Sequence, residues 1–124
     1  MIRKVFALTT IVLLAGVLFA QDKTVTITGN LIDNACAESA KDIGARAKDH
    51  STSCALMDGC EKAGYAVYGS DNKLYKLDGK GNELAEAVLK NTKVKSGVKV
   101  AVEGTLDGDT LKVTKLAEVI AATN

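Results

Sequence analysis

Hydrophobic and polar residues alternate with a period of two near both ends of the chain, a pattern typical of β-strands with one buried face. The first such stretch is 24–32, and a second pair, 98–103 and 111–113, flanks Asp107-Gly108. Because aspartate-glycine readily adopts the tight turn of a hairpin, this pair is predicted to form two antiparallel strands. The pattern therefore predicts three strands around a less regular middle.

The segment 33–64 loses the two-residue period and is rich in Ala, Lys, Asp and Ser. This composition favours an insertion of short helices. Within it, Ser51 or Ser53 is predicted to cap a helix, and Gly64 suits the left-handed position at its C-terminal end.

A second hairpin and a longer helix are predicted after the insertion. Two short β-like runs, 65–69 and 74–77, are separated by turn-forming residues. Residues 78–81 are expected to interrupt the regular secondary structure. Asn82 is then predicted to cap a helix whose apolar residues recur at three and four positions, and which ends near Asn91.

The predicted order is strand, inserted segment, strand, strand, helix, strand, strand. Five strands with one helix between the third and fourth is the order of an oligonucleotide/oligosaccharide-binding (OB) barrel. The predicted fold class is therefore mainly β, a five-stranded OB-like barrel with a helix between strands 3 and 4 and a helical insertion after strand 1. A small open α+β sheet is the competing fold.

Residues 1–20 have the features of a secretory signal peptide. Arg3 and Lys4 precede sixteen uncharged, mostly apolar residues, and Ala20 offers a small side chain at the cleavage point. Sixteen residues are fewer than the roughly 20 that an α-helix needs to span a bilayer, so cleavage is expected rather than a membrane anchor. We therefore predict a secreted or periplasmic protein, without membrane attachment after cleavage, in which residues 21–124 form a single OB-like domain.

Size and charge narrow the expected partners. Removing twenty residues from 124 leaves 104, enough for one small domain. This mature chain has 14 basic and 15 acidic side chains, a net charge of about −1, with the two signs interspersed. Phosphate binding requires a concentrated positive field, so nucleic acid is not an expected partner. A protein or a small ligand is expected instead.

Every cysteine and the single histidine of the chain are gathered between residues 33 and 60. Thiolate sulfur and imidazole nitrogen are preferred ligands of zinc and copper. A four-ligand tetrahedral set suited to zinc would consist of Cys36, His50, Cys54 and Cys60. The thioether of Met57 together with the thiolates would suit copper(I). Asp33 is then expected to orient His50 from outside the ligand set.

The spacing of these residues decides which of them can meet. A continuous helix over 50–58 would place His50 and Cys54 on one face, as a single metal ion requires. The same helix would hold Cys54 and Cys60 about 9 Å apart along its axis, too far for a disulfide. A bend at Gly59 would remove this obstacle.

Disulfide formation is the alternative fate of these thiols in an export compartment. Cys36 could pair with either Cys54 or Cys60, and a loop of roughly 20 residues closed in this way contributes about 3 kcal/mol. This hypothesis describes a disulfide-stapled structural or ligand-binding module without metal. Its remaining cysteine could join two copies in a disulfide-linked homodimer.

A third hypothesis makes Cys54 a nucleophile or redox centre activated by His50. The chain has no Cys-x-x-Cys motif, and one histidine near one cysteine is a weak indication of catalysis. We therefore expect a binding protein rather than an enzyme and assign no catalytic residue. Metal binding is the first hypothesis for its function, and a metal-free module is the alternative.

Three motifs resemble a family of small exported bacterial proteins of uncharacterised function. They are GNLIDxxC at 29–36, HxxxCxxMxxCxxxGY at 50–65 and KLDxKGN at 76–82. The resemblance covers nearly all of the mature chain. It implies an exported OB-like domain with a cysteine-bearing insertion, and it implies no particular activity.

Overall fold

The computed structural model describes residues 23–120, which contain five strands and five helices. The strands are β1 (Thr24–Asp33), β2 (Tyr65–Gly69), β3 (Leu74–Leu77), β4 (Lys99–Asp107) and β5 (Thr110–Glu118). The helices are α1 (Asn34–Ser39), α2 (Ile43–Asp49), α3 (Thr52–Ala55), α4 (Asp58–Ala63) and α5 (Gly79–Asn91). The signal peptide predicted at 1–20 lies outside the described residues. Of the described helices, none has the length and apolar character needed to cross a membrane.

The five strands form one mixed sheet that closes in a ring. Strand β1 pairs antiparallel with both β2 and β4, and antiparallel pairing also joins β2 to β3 and β4 to β5. The ring is completed by a parallel pairing of β3 with β5, which gives the order β1-β2-β3-β5-β4. The mainly β class with five strands is therefore confirmed.

The main hydrophobic core lies inside this ring. Alternate residues of the strands point inward because successive side chains of a strand face opposite sides. Helix α5 adds two buried residues, Ala85 and Leu89, which are four positions apart and therefore share one helical face. The buried strand residues are Leu31, Tyr65, Val67, Tyr75, Leu77, Val100, Val102, Leu111 and Val113.

Helix α5 begins earlier than the sequence predicts. Its N-cap is Asp78, whose Oδ1 accepts hydrogen bonds from the backbone N–H groups of Gly81 (2.9 Å) and Val113 (3.2 Å). The predicted interruption of secondary structure at 78–81 and the predicted Asn82 cap are therefore wrong. Glycine at position 81 serves close packing, since a Cβ there would lie 2.6 Å from Cγ2 of Val113. Asn82 instead accepts a 2.9 Å hydrogen bond from the backbone N–H of Tyr65.

The segment between β1 and β2 holds four short helices, of which α3 contributes Ala55 to the main core. This segment leaves the sheet at Asp33 and returns at Tyr65, two residues that are paired directly in the β1–β2 ladder. A second, smaller core joins the segment to the strands. Its buried members are Ile32, Ala37, Ala47 and Ala66, and partly buried neighbours are Cys36, Ile43, Tyr68 and Leu74.

The single helix predicted around Cys54 is in fact two. Helix α3 starts at the predicted cap, with Ser51 Oγ accepting from the N–H of Cys54 at 3.1 Å, but it ends at Ala55. Met57 is extended, and α4 then runs to Gly64, whose φ of 79° ends it as predicted. A continuous helix would use the carbonyl oxygen of Ala55 to accept from the N–H four residues later. Here a tyrosine hydroxyl from β2 occupies that oxygen.

The α5–β4 connection also holds the insertion in place. Thr52 donates from its backbone N–H to the carbonyl of Lys95 at 2.9 Å and from its hydroxyl to the carbonyl of Val94 at 2.7 Å. The backbone N–H of Gly97 donates to the carbonyl of His50 at 2.9 Å. These bonds fix the junction between α2 and α3 against the sheet.

Candidate metal centre

The three cysteines come together from three different helices. Cys36 lies on α1, Cys54 on α3 and Cys60 on α4. Their Sγ atoms are all within 4.8 Å of one another, and each side chain is half-buried. All three are free thiols, so the structure contains no disulfide between them.

The break between α3 and α4 explains how Cys54 and Cys60 can meet. Leu56 is the C-cap of α3; its N–H donates to the carbonyl of Thr52, and the N–H of Met57 donates to the carbonyl of Cys54. Met57, whose side chain is 61% exposed, then turns the chain into α4. The bend therefore lies at 56–57 and not at the predicted Gly59. It allows a sulfur contact that an unbroken helix forbids.

A second group of three polar side chains shares Cys36 with the first. Ligand atoms of Asp33, Cys36 and His50 also lie within 4.8 Å of one another. Asp33 is fully buried and His50 is 4% exposed. Such burial of two ionisable groups is costly unless they are paired.

Asp33 and His50 form that pair. Nε2 of His50 lies 2.7 Å from Oδ1 of Asp33. The approach does not have the alignment of a hydrogen bond, and neither ring nitrogen of His50 has a hydrogen-bond partner among the described residues. The contact is therefore mainly electrostatic, and it leaves buried polar atoms available for further bonding next to the cysteines.

The other oxygen of Asp33 caps helix α1. Oδ2 accepts from the backbone N–H of Cys36 at 2.8 Å. Burial acts to raise the pKa of Asp33. The pKa nevertheless lies below its usual 3.8, because the backbone and thiol of Cys36, the charge of His50 and the thiol of Cys60 all favour the carboxylate. The carboxyl group is therefore ionised and directed at two of the three thiols.

The thiols of Cys36 and Cys60 resist ionisation in the metal-free protein. Burial and then the hydrogen bond and charge of Asp33 raise the pKa of Cys36, although Arg46 opposes the rise. Burial, followed by the nearby carboxylate, raises the pKa of Cys60 to about 12. A metal ion reverses this effect by binding the thiolate, so binding must release protons.

The four predicted ligands do not form a single group. Cys36, Cys54 and Cys60 meet, whereas His50 satisfies the same distance condition only together with Asp33 and Cys36. His50 belongs to no helix, since it is the extended C-cap residue of α2, and it does not share a helical face with Cys54. The condition for His50 and Cys54 to share a helical face, a continuous helix over 50–58, is therefore not met.

The structure places Asp33 against His50 as expected, but the position of Asp33 next to Cys36 and the approach of Arg46 to Cys36 were not predicted. Asp33 lies beside the thiols themselves, and the three-residue spacing to Cys36 is that of a helix N-cap, which could have indicated its position. Arg46 places Nη2 3.9 Å from Sγ of Cys36. No sequence pattern links Arg46 to Cys36, because packing of α2 against α1 brings them together.

The spacing of the sulfurs fits a thiolate-bound metal ion. With zinc–sulfur bonds of about 2.3 Å, two ligands of a tetrahedral ion lie about 3.8 Å apart. The three sulfurs are no more than 4.8 Å apart, so inward shifts of about 1 Å or less would bring them to bonding positions. Side-chain rotation within short helices can supply such shifts.

Comparison with known proteins gives no relative from which to transfer a function. The proposal that follows therefore depends on the geometry of the cysteines and of the Asp33–His50 pair. The resemblance to exported bacterial proteins stays a prediction. No protein-family model, no curated protein and no solved structure matches this chain.

Proposed function

We propose that this protein binds a thiophilic transition metal ion, zinc(II) or copper(I), through the thiolates of Cys36, Cys54 and Cys60. The observation that carries the proposal is the mutual approach of the three sulfur atoms to within 4.8 Å. Three half-buried thiols from three helices, all of them free, match the ligand preference of both ions. Binding, and not catalysis, is the function proposed.

Zinc is the ion that the surrounding charges favour. Three thiolates and Asp33 carry four negative charges. Arg46 and a divalent ion would offset three of these charges, whereas Arg46 and copper(I) would offset two. Balanced charge matters here because Asp33 and His50 are removed from water.

Asp33 is our candidate for the fourth zinc ligand, with His50 holding its carboxylate. A carboxylate oxygen of Asp33 lies within 4.8 Å of Sγ of Cys36 and of a ring nitrogen of His50, and the charge of Asp33 contributes to the raised pKa of the Cys60 thiol. His50 at 2.7 Å would then act as the outer partner that orients a metal-bound carboxylate. The set in which His50 itself is the fourth ligand stays a prediction, and substitutions of the two residues separate the alternatives.

The wider assignment is part of the same proposal. The ring order β1-β2-β3-β5-β4 and the position of α5 between β3 and β4 support an OB-like barrel. We further propose that the chain is exported, that it belongs to the resembled bacterial family and that it exchanges its ion with a protein or small ligand. A disulfide-stapled module without metal is the alternative.

Native mass spectrometry of the reduced, purified protein tests the proposal. After incubation with zinc and removal of excess ion, one zinc per chain should be retained, and the three thiols should be protected from alkylation. The Cys36→Ser, Cys54→Ser and Cys60→Ser variants should each lose affinity by at least 10-fold, while the Met57→Leu control keeps it. Circular dichroism establishes that each variant is folded.

Two outcomes would contradict the proposal. One is a reduced wild-type protein that retains neither zinc nor copper(I). The other is a folded variant with all three cysteines replaced by serine that binds as tightly as wild type. For the fourth ligand, Asp33→Asn should weaken zinc binding more than His50→Gln does if the carboxylate contacts the ion.

A further inference from the structure

Three mutually close thiols can do more than bind an ion. Joining any two of them as a disulfide, with sulfur atoms about 2.05 Å apart, leaves the third within reach of the new bond. The same three sulfurs are the proposed metal ligands. A disulfide and a bound ion therefore compete for the same atoms.

We propose that the metal centre is redox-controlled: oxidation of Cys54 and Cys60 to a disulfide releases the ion, and Cys36 remains as a free thiol beside that bond. This inference rests on the proposed function, and it concerns how that site is regulated. It makes the metal-bound and disulfide-bonded forms two states of one protein.

The choice of Cys54 and Cys60 follows from what holds each cysteine. They lie on helices of four and six residues, joined by the bend at 56–57, where the side chain of Met57 is 61% exposed. Such short helices have little internal stability and can adjust to disulfide geometry. The covalent loop that this disulfide closes contains only the residues between Cys54 and Cys60.

Cys36 is held more firmly in its reduced position. Its backbone N–H donates to Asp33 at 2.8 Å, and Nη2 of Arg46 lies 3.9 Å from its sulfur. Asn34, at the start of the same helix, is bonded through its backbone N–H to the carbonyl of Gly64 and through its side chain to that of Ala63. The first two contacts hold Cys36 itself, whereas the bonds of Asn34 tie α1 to the end of α4, so the adjustment is expected at the bend 56–57.

The oxidant that this step requires is a small-molecule disulfide. One thiolate attacks a sulfur of the oxidant, forming a mixed disulfide and expelling the first thiolate of the oxidant. The second cysteine attacks the mixed disulfide, forms the Cys54–Cys60 bond and expels the second thiolate. The two protein sulfurs lose two electrons, the oxidant gains two, and its two thiolates take up protons. The ion leaves with its charge, and Cys36 takes up one proton.

Reduction restores the site because Cys36 remains next to the disulfide. An external dithiol can reduce the bond, and Cys36, which lies within 4.8 Å of both partner sulfurs in the reduced structure, is still in place to bind the ion again. Full recovery of zinc binding after reduction is therefore expected. A buried structural disulfide would not behave in this way.

The test starts from the zinc-loaded, reduced protein. Oxidised glutathione is added, and a zinc-sensitive fluorescent chelator follows release while alkylation and peptide mapping follow the thiols. We expect loss of the single bound zinc, loss of two alkylatable thiols, a mass lower by two hydrogens and a peptide cross-linked between Cys54 and Cys60. Dithiothreitol should then restore one zinc per chain.

Three variants sharpen the result. Cys36→Ser should still form the disulfide, whereas Cys54→Ser and Cys60→Ser should not form it and should lose at most one thiol to glutathionylation. Peptide mapping of the wild-type protein identifies the disulfide directly. A folding defect in one of the three variants therefore does not affect this result. Zinc retained after both thiols have oxidised, or a disulfide that contains Cys36, would overturn this inference alone. A reduced protein that retains neither zinc nor copper(I) would overturn the proposed function and this inference with it.

Discussion

The hydroxyl of Tyr65 donates a 2.8 Å hydrogen bond to the carbonyl oxygen of Ala55 and so joins the closed sheet to the helix that carries Cys54. Tyr65 is 1% exposed and is the first residue of β2. Burial raises the pKa of its hydroxyl well above the usual value, with smaller contributions from Glu61 and Glu86, so the group remains a donor. One side chain of the core thereby sets where α3 ends.

Replacing Tyr65 by Phe should lower both stability and metal affinity. The variant leaves the buried Ala55 carbonyl without this donor, which costs about 1 to 3 kcal/mol in urea unfolding. Freed from that bond, α3 can extend toward α4 and carry Cys54 away from Cys60, so zinc affinity should also fall several-fold. Tyr68→Phe, a change on the outer face of the same strand, is the matched control. A loss of stability with unchanged zinc affinity would show that this bond does not position Cys54.

Asp33 is expected to contribute through both of its oxygens. Asp33→Asn keeps a cap for α1 but removes the charge next to His50. We expect the free energy of unfolding to fall by about 1 to 3 kcal/mol. Asp33→Ala removes the cap as well and should cost about 1 kcal/mol more. The control is Asp42→Ala, since the side chain of Asp42 caps α2 in the same way, at 3.1 Å from the N–H of Ala45, but is exposed. Equal losses for Asp42→Ala and Asp33→Ala would argue against the buried pair.

Gly97 should tolerate alanine less well than Gly108. Both glycines have positive φ, 67° and 64°, so alanine at either position costs about 1 to 2 kcal/mol in backbone strain. At Gly97 the new Cβ would also lie 2.4 Å from the carbonyl oxygen of Lys48, whereas at Gly108 it meets nothing within 4 Å. Thermal unfolding should show the larger loss for Gly97→Ala. Because Gly97 also holds the carbonyl of His50, zinc affinity should fall in that variant alone.

Asp71 and Tyr75 should give the stability a pH dependence with two limits. The Tyr75 hydroxyl bonds the Asp71 carboxylate, which lowers the pKa of Asp71 below 3.8 and raises that of Tyr75 above 10.0. The lowered carboxyl pKa gives stability that is present above pH 3.8 and is lost as the pH falls through the folded value. The raised hydroxyl pKa gives stability that is present below pH 10.0 and is lost as the pH rises through the folded value.

Tyr75→Phe should remove this contribution. The difference in melting temperature between wild type and variant should therefore be largest between pH 3.8 and 10.0 and should shrink beyond both limits. Tyr68→Phe leaves the Asp71–Tyr75 bond in place and serves as the control. A difference that does not change with pH would contradict the assignment.

Local patterns located all five strands, but they predicted β4 and β5 too short, at 98–103 and 111–113 against Lys99–Asp107 and Thr110–Glu118. Two-residue alternation located β1 within one residue, and the hairpin at 65–69 and 74–77 was predicted with its observed ends. The closure of the ring through parallel pairing of Lys76 and Leu77 with β5 has no local signature, since it depends on contacts between distant parts of the chain. The glycines in the first turn of α5 were misleading. Gly81 is needed for close packing against Val113, which is 32 positions away in the sequence.

The candidate centre was predicted in composition but not in arrangement. The concentration of cysteines and histidine between 33 and 60 indicated the right region. Its geometry depends on a hydrogen bond from Tyr65 that ends α3 and on the pairing of His50 with Asp33. The contact of Asp33 with His50 was expected, whereas the hydrogen bond from Tyr65 does not follow from spacing, because it joins the insertion to the sheet.

The hydrogen bonds that fix the insertion to the sheet have a consequence for what an ion encounters. The cysteine-bearing helices have six, four and six residues, too few for stability on their own. Tyr65, Thr52 and Asn34 tie them to the sheet, to the α5–β4 connection and to each other. The entropy of ordering the ligands is thus lost when the polypeptide folds and not when metal arrives. We therefore expect metal binding and release to change the protein at α1, α3 and α4 and to leave the strands of the ring in place.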